Sequence, residues 1–394
     1  MFGSRADLQR VRRPNEHHRV TFIELFFDLV FVFGITQLSH ALAAHLSLVG
    51  ALETGLMFLA VWWAWIYTCW FTNWLDPGRT PVRVLMLALM LAGLVLSISV
   101  PRAFEDYGLK FAVAYVCMQA GRSLFMLWAL RRHNPGNYRN FQRVVSWQIL
   151  TAVLWVAGGL SHDGFRLVFW GMAILTDMAV VMIGFWTPWL GRSTTADWNV
   201  EGAHMAERCA LFVIIALGES ILVTGKTVAE LQATPGVMIA FAAAFLGSVS
   251  MWWIYFDTAA ERASRSFVTT TDSGRMAVSA YTYVHLPLVA GIVVTAVGDE
   301  LALAHPDGRM EAKVAAVLLA GPALYLFGDL LFRRATAAPF PRSHIGGLAA
   351  LAVLAPVSLT LSPALLSAAV ALVLTGVAAS EAIWLRRARA RATA

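Results

Sequence analysis

The feature that most constrains this chain is a succession of apolar runs, each near the ~20 residues that a helix needs to cross a bilayer. They read at 21–43, 49–71, 80–100, 107–130, 140–160, 165–187, 205–227, 236–258, 275–297, 310–332, 344–361 and 363–385 of the 394 residues. Little chain remains between them, so no separate soluble domain is expected. Hydrocarbon offers backbone groups no partner, and each run must satisfy its own N–H and C=O groups as a helix. The expectation is an all-α polytopic integral membrane protein of about twelve spans. Composition agrees, since 58% of the residues are hydrophobic and 14% are charged, against roughly 25% charged in a soluble domain. The first run follows a basic stretch, as a signal peptide would. It is too long for an h-region and lacks a small-x-small cleavage site, so it reads as a retained span.

A formal charge of +6 raises the question of nucleic acid. The basic residues punctuate apolar runs instead of forming one patch, which argues against such a partner. Their sidedness sets an orientation. Arg5 to Arg19, Arg79, Arg83, Arg131, Arg132, Arg139, Arg143, Arg192, Arg262, Arg265, Arg275, Arg333, Arg334, Arg342 and the tail Arg386, Arg387, Arg389 and Arg391 fall on one side. The other side holds Arg102, Lys110, Arg166, Lys226, Arg309 and Lys313. By the positive-inside rule the first side, with both termini, is cytoplasmic, as in a multi-pass protein of a bacterial inner membrane. Cys69, Cys117 and Cys209 lie within apolar runs at spacings that suit neither a disulfide framework nor a zinc site, and read as small packing side chains.

The chain divides into a basic segment 1–20, a six-span half 21–187, a linker 188–204, a second six-span half 205–385 and a basic tail 386–394. Weak internal similarity links the halves. Trp62-Trp63-Ala64-Trp65-Ile66-Tyr67 matches Met251-Trp252-Trp253-Ile254-Tyr255, Glu24 matches Glu207, and Arg131-Arg132 matches Arg333-Arg334. Because six is even, the halves would form a parallel repeat, an arrangement whose working site in many transporters lies at the repeat interface. The tryptophans themselves read as packing and belt residues.

Ionisable side chains at membrane depth are costly and are the first candidates for function. Glu24 and Asp28 lie four residues apart in the first span and so share one helical face. Arg122, Asp177, Glu207, Arg208, Glu219 and His285 follow, with Asp329 near the end of the tenth span. Glu24, Arg208 and Asp329 fall near the cytoplasmic ends, within reach of headgroups or water. At 1.5 Å per residue, Asp28 and Arg122 reach similar depths, which allows a salt bridge between them. His285 precedes Pro287 and is placed either to titrate or to bond a freed carbonyl, and Gly321-Pro322 interrupts the tenth span. No Walker loop, HExxH or CxxC is present, so no catalytic residue, metal site or cofactor is expected. Glu16-His17-His18 lies on an exposed basic terminus that suits a metal poorly.

Two segments carry a resemblance. The first is Glu24-Leu25-Phe26-Phe27-Asp28-Leu29-Val30-Phe31-Val32-Phe33 with Gln37-Leu38-Ser39-His40. The second is His204-Met205-Ala206-Glu207-Arg208, continuing to Leu217-Gly218-Glu219-Ser220-Ile221-Leu222. Both are similar to the bacterial low-temperature-requirement A (LtrA) family, although Cys209 and Ala210 replace the expected aromatic and glycine. The resemblance implies a membrane protein named for a growth phenotype in the cold, without a substrate. Phe27-Asp28 is also similar to the Phe-Ser-Asp signature of two-repeat potassium channels, but Phe27 replaces the serine and Leu211 or Phe212 stands where a second aspartate would be.

Buried charges, a repeat and no nucleotide-binding domain lead to the expectation of a secondary transporter, proton-coupled, moving a small solute or ion between the halves. Asp28 and Glu219 would carry the coupling ion, with Arg122 and Arg208 as counter-charges. The alternatives are a cation channel gated by dewetting, and a membrane scaffold or lipid-modifying protein. The bilayer, the transported species and a second copy of the chain are the partners considered.

Overall fold

In the computed structural model the described residues are 8–10, 19–162, 164–195, 198, 200–260, 263–264, 266–267, 270, 272–336 and 341–392. Arg5, Arg12, Arg13, Glu16-His17-His18, Arg262 and Arg265 lie outside them, as do the side chains of Arg389 and Arg391.

Among the described residues, twelve helices are long and apolar enough to cross a membrane. They are α1 Phe22–Ala44, α2 Leu48–Trp74, α3 Thr80–Arg102, α4 Gly108–Leu130, α5 Pro135–Leu160 and α6 Gly164–Met182. These are followed by α7 Gly202–Ala229, α8 Pro235–Asp257, α9 Ser273–Ala304, α10 Ala312–Ala335, α11 Arg342–Thr360 and α12 Pro363–Arg387. The chain is a multi-pass membrane protein, with spans close to those legible from hydropathy. The main difference is α9, which runs to Ala304 and so draws Asp299 into the span.

Local chemistry sets the ends. Asn134 and Thr234 each accept a bond from the backbone N–H three residues on, and proline occupies the next position in both cases. That position has no intrahelical acceptor to satisfy, so proline's missing N–H costs nothing there. Pro287 falls in the first turn of the α-helix that starts at His285 and does not break a helix interior. A π-helical stretch, Ala277–Tyr283, precedes it, and another, Ile254–Ala260, starts in the last turn of α8 and runs past its end.

The chain forms two compact units. The first comprises Met1–Ala41, Leu48–Arg208 and Thr270–Val278, and the second comprises Leu42–Ser47, Cys209–Thr269 and Ser279–Ala394. In the first, α4 packs on α3 and α5, and Trp155 sits between Tyr115 and Trp170 at ring separations of 4.4 and 5.5 Å. Arg166, only 3% exposed, donates to the carbonyls of Gly158, Ser161, Ala103 and Glu105. It thereby satisfies acceptors that the end of α5 leaves open. In the second unit, α9 and α10 are in close backbone contact. A Cβ at Gly328 would lie 2.4 Å from the Leu288 nitrogen, and one at Gly291 2.4 Å from the Tyr325 nitrogen. Small residues of this kind let membrane helices approach closely.

Outward faces remain apolar, as lipid requires: Leu87, Leu91, Leu94 and Ile98 form an exposed stripe along α3. Trp62, Trp63 and Trp65 are buried, whereas Trp252 and Trp253 are 44% and 42% exposed. Cys69 and Cys209 pack inside, but Cys117 is exposed, so the packing role expected of all three holds for two.

Candidate functional site

The densest polar network belongs to the first unit. Glu24 and Asp28, one turn apart on α1, meet His204 and Arg208, one turn apart on α7, and all four are fully buried. Arg208 Nη2 donates to Asp28 Oδ1 at 2.6 Å, while Nη1 donates to Glu24 Oε1 at 3.1 Å and to the Thr72 hydroxyl at 3.3 Å. Trp65 Nε1 donates to Asp28 Oδ1 at 2.7 Å. Helical periodicity explains the set: Trp65 and Thr72 are two turns apart on one face of α2. Arg10 reaches Glu24 at 3.3 Å and donates through Nε to the Thr72 carbonyl at 2.6 Å. Thr21 gives Glu24 Oε2 two more donors, from N at 2.9 Å and Oγ1 at 2.8 Å.

His204 Nε2 lies 2.9 Å from Glu24 Oε1 and 3.1 Å from Arg10 Nη2, while Nδ1 faces the Asn73 amide nitrogen at 3.4 Å. The Arg10 and Arg208 guanidiniums stand against the two carboxylates, Glu24 and Asp28. Within this network two buried atoms have no hydrogen-bond partner, Asp28 Oδ2 and Arg208 Nε.

A second chain of bonds in the same unit runs along α4. Arg122 donates to the Thr68 hydroxyl at 3.1 Å and to Gln119 Oε1. Gln119 Nε2 donates to the Tyr115 hydroxyl at 3.1 Å, which gives its own proton to Asp177 Oδ2 at 3.0 Å. Residues 115, 119 and 122 recur at helical spacing, so one face of α4 links a guanidinium to a carboxylate. The salt bridge allowed between Asp28 and Arg122 is not made. Depth alone does not choose a partner, and Arg122 points at α2 while Asp28 takes Arg208.

The second unit has its own network. Arg333 Nε donates to Asp329 Oδ2 at 2.6 Å, Nη1 to Glu381 Oε2 at 2.9 Å and Nη2 to the Ile254 carbonyl at 3.1 Å. His344 Nε2 faces Asp329 Oδ2 at 2.7 Å, and its Nδ1 lies 3.1 Å from Ser343 Oγ, which also bonds Glu381 Oε1. Nearby, the His285 Nδ1–H donates to the Ala280 carbonyl at 2.8 Å, so Nε2 accepts from the Tyr255 hydroxyl at 2.9 Å.

Sequence reading identified Glu24, Asp28, Arg122, Asp177, Arg208, His285 and Asp329 as costly charges, and all seven are buried. The expectation that Glu24, Arg208 and Asp329 reach headgroups or water is overturned, because each is 0% exposed. Glu207 is exposed and accepts the Val20 N–H at 3.1 Å. It lies one residue, about 100° of helix, from Arg208. Glu219 is half-buried and belongs to the second unit. The sequence reading missed His204, Arg10, Trp65, Thr72, His344, Glu381 and Asp299 as site residues. The His204–Arg208 spacing of four could have signalled the first, and Glu381 is a carboxylate inside the apolar run 363–385; the others carry no local mark.

Fold and site together define a polytopic helical membrane protein that gathers many of its buried charges into ion-pair networks. The chain belongs to the bacterial low temperature requirement A protein (LtrA) family, whose sequence profile matches residues 19–379. It is 41% identical over 342 residues to an uncharacterised protein of Rhizobium meliloti (strain 1021), covering 86% of this chain and 84% of that one. No solved structure matches it.

Proposed function

We propose that the chain is a proton-coupled secondary transporter of the bacterial inner membrane, carrying a small solute or ion, with both termini in the cytoplasm. Asp28 is the observation that carries this reading. Its Oδ1 is held by Arg208 and Trp65, while Oδ2 is buried without a partner. A proton arriving on Oδ2 neutralises Asp28 and leaves Trp65 in place. It also removes one of the two anions that hold Arg208, which keeps Glu24 and Thr72. Protonation thus biases the position of a buried guanidinium, the kind of differential contact a coupled carrier needs. In this reading the two six-span halves form a parallel repeat.

The test is current and internal pH in proteoliposomes, wild type against Asp28→Asn, under imposed proton and potassium gradients. A small, saturable, proton-dependent transient lost in the folded variant is expected. A large ohmic potassium current that persists without a proton gradient would replace the carrier with a channel. Silence from folded wild type, together with altered lipids in a deletion strain grown cold, would favour the scaffold or lipid-modifying reading.

A further inference from the structure

Asp299 stands apart from the networks above. It lies on α9, is 7% exposed, and its Oδ2 is buried without a hydrogen-bond partner. Among the described residues no basic side chain forms an ion pair with it, so in its carboxylate form it is an unbalanced negative charge in an apolar unit. Such a charge costs several kcal/mol if left uncompensated.

What surrounds it is equally specific. Asp299 lines a cavity of about 20 Å³ together with Thr295, Leu318, Pro322 and Ser367. Ser367, on α12, is 4% exposed, and its Oγ also has no partner. Thr295 gives its hydroxyl proton to the Gly291 carbonyl at 2.8 Å, so its oxygen can only accept from, or coordinate, anything in the cavity. Pro322 lies inside α10 and has no N–H, which releases the carbonyl four residues earlier, that of Leu318. The polar lining is therefore oxygen, with one carboxylate and no cationic side chain. The volume admits one water-sized body and excludes an organic solute.

We infer that this cavity is a site for one alkali-metal cation, held by the Asp299 carboxylate with the oxygens of Ser367, Thr295 and Leu318. A hard, oxygen-only set suits such an ion. The charge count selects a monovalent one, since a divalent ion on one carboxylate would leave a buried positive charge. The released carbonyl repeats a feature of membrane ion sites, where interrupted helices present backbone oxygens to cations. The site stands independently of the transport proposal, because it binds its ion whether or not the chain moves a solute.

The test uses the purified full chain in detergent, melted in sodium, potassium or choline chloride at equal ionic strength. Wild type should show a saturable rise in melting temperature in at least one alkali salt over choline. The rise should be on the order of 5 °C at a hundredfold excess over Kd. Asp299→Asn should lose it, and Ser367→Ala should need about tenfold more salt to reach half the effect. Equal melting of wild type in all three salts, or a rise that survives in Asp299→Asn, would overturn the site. If Asp299→Asn does not fold, equilibrium binding of radioactive sodium and rubidium to wild type decides. One ion per chain, displaced by alkali salts and not by choline, supports the site, and no saturable binding removes it.

Discussion

Replacing Arg208 by methionine removes three donated bonds from a fully buried network, but its two carboxylates lose unequally. Glu24 keeps Arg10, His204 and both Thr21 donors. Asp28 keeps only Trp65, a single neutral donor. Removing one partner of a buried ion pair costs about 3–5 kcal/mol, chiefly through the charge left behind. The cost of Arg208→Met should therefore sit almost wholly on Asp28. A fall in melting temperature on the order of 10 °C is expected, read by fluorescence-detected size-exclusion after heating. The Asp28→Asn/Arg208→Met double variant should recover about 2 kcal/mol relative to Arg208→Met, because no uncompensated charge remains. Glu24→Gln/Arg208→Met should recover nothing, since Asp28 still lacks its charge partner and Arg10 loses its carboxylate. Equal rescue by the two double variants, or none by the aspartate one, would refute this apportioning.

Gly328→Ala should lower stability by about 1–3 kcal/mol, because its Cβ would meet the Leu288 backbone nitrogen at 2.4 Å and force α9 from α10. Gly55→Ala, with nothing within 4 Å of the added carbon, is the control and should melt like wild type or higher. For the orientation, a green fluorescent protein fused after Ala394 should fluoresce in cells; a dark fusion, with an alkaline phosphatase fusion active at the same point, would place the tail outside.

The arginine count behind that orientation mixes two kinds of residue. Arg131 and Arg132 are exposed at the end of α4, as topology signals should be. Arg333 is 4% exposed within an ion-pair network, and Arg166 is 3% exposed among backbone carbonyls. The paired features that suggested a repeat differ in the same way. Glu24 is buried and Glu207 exposed, and the tryptophans of α2 are buried while those of α8 face outward. Sequence similarity records residue type, and the environment of each copy follows from which neighbour it meets.

Hydropathy and helical spacing by themselves determined the class of this protein, its twelve spans and the shared face of Glu24 and Asp28. These are local properties: a run must be apolar to enter lipid, and 3.6 residues close each turn wherever the chain lies. The family, too, was legible in the motifs around Asp28 and Arg208. Tertiary structure alone decided which charges meet. It brought Arg208 to Asp28 across 180 residues of sequence, turned Arg122 to α2 instead, and placed His344 and Glu381 around Asp329 and Arg333. It also placed Asp299, which has no ion-pair partner among the described residues, beside a small cavity that Thr295 and Ser367 share. The choice of partner is made by helix–helix packing, where azimuth and neighbour identity depend on side chains far apart in the chain, and a count of depth along one helix carries no record of it.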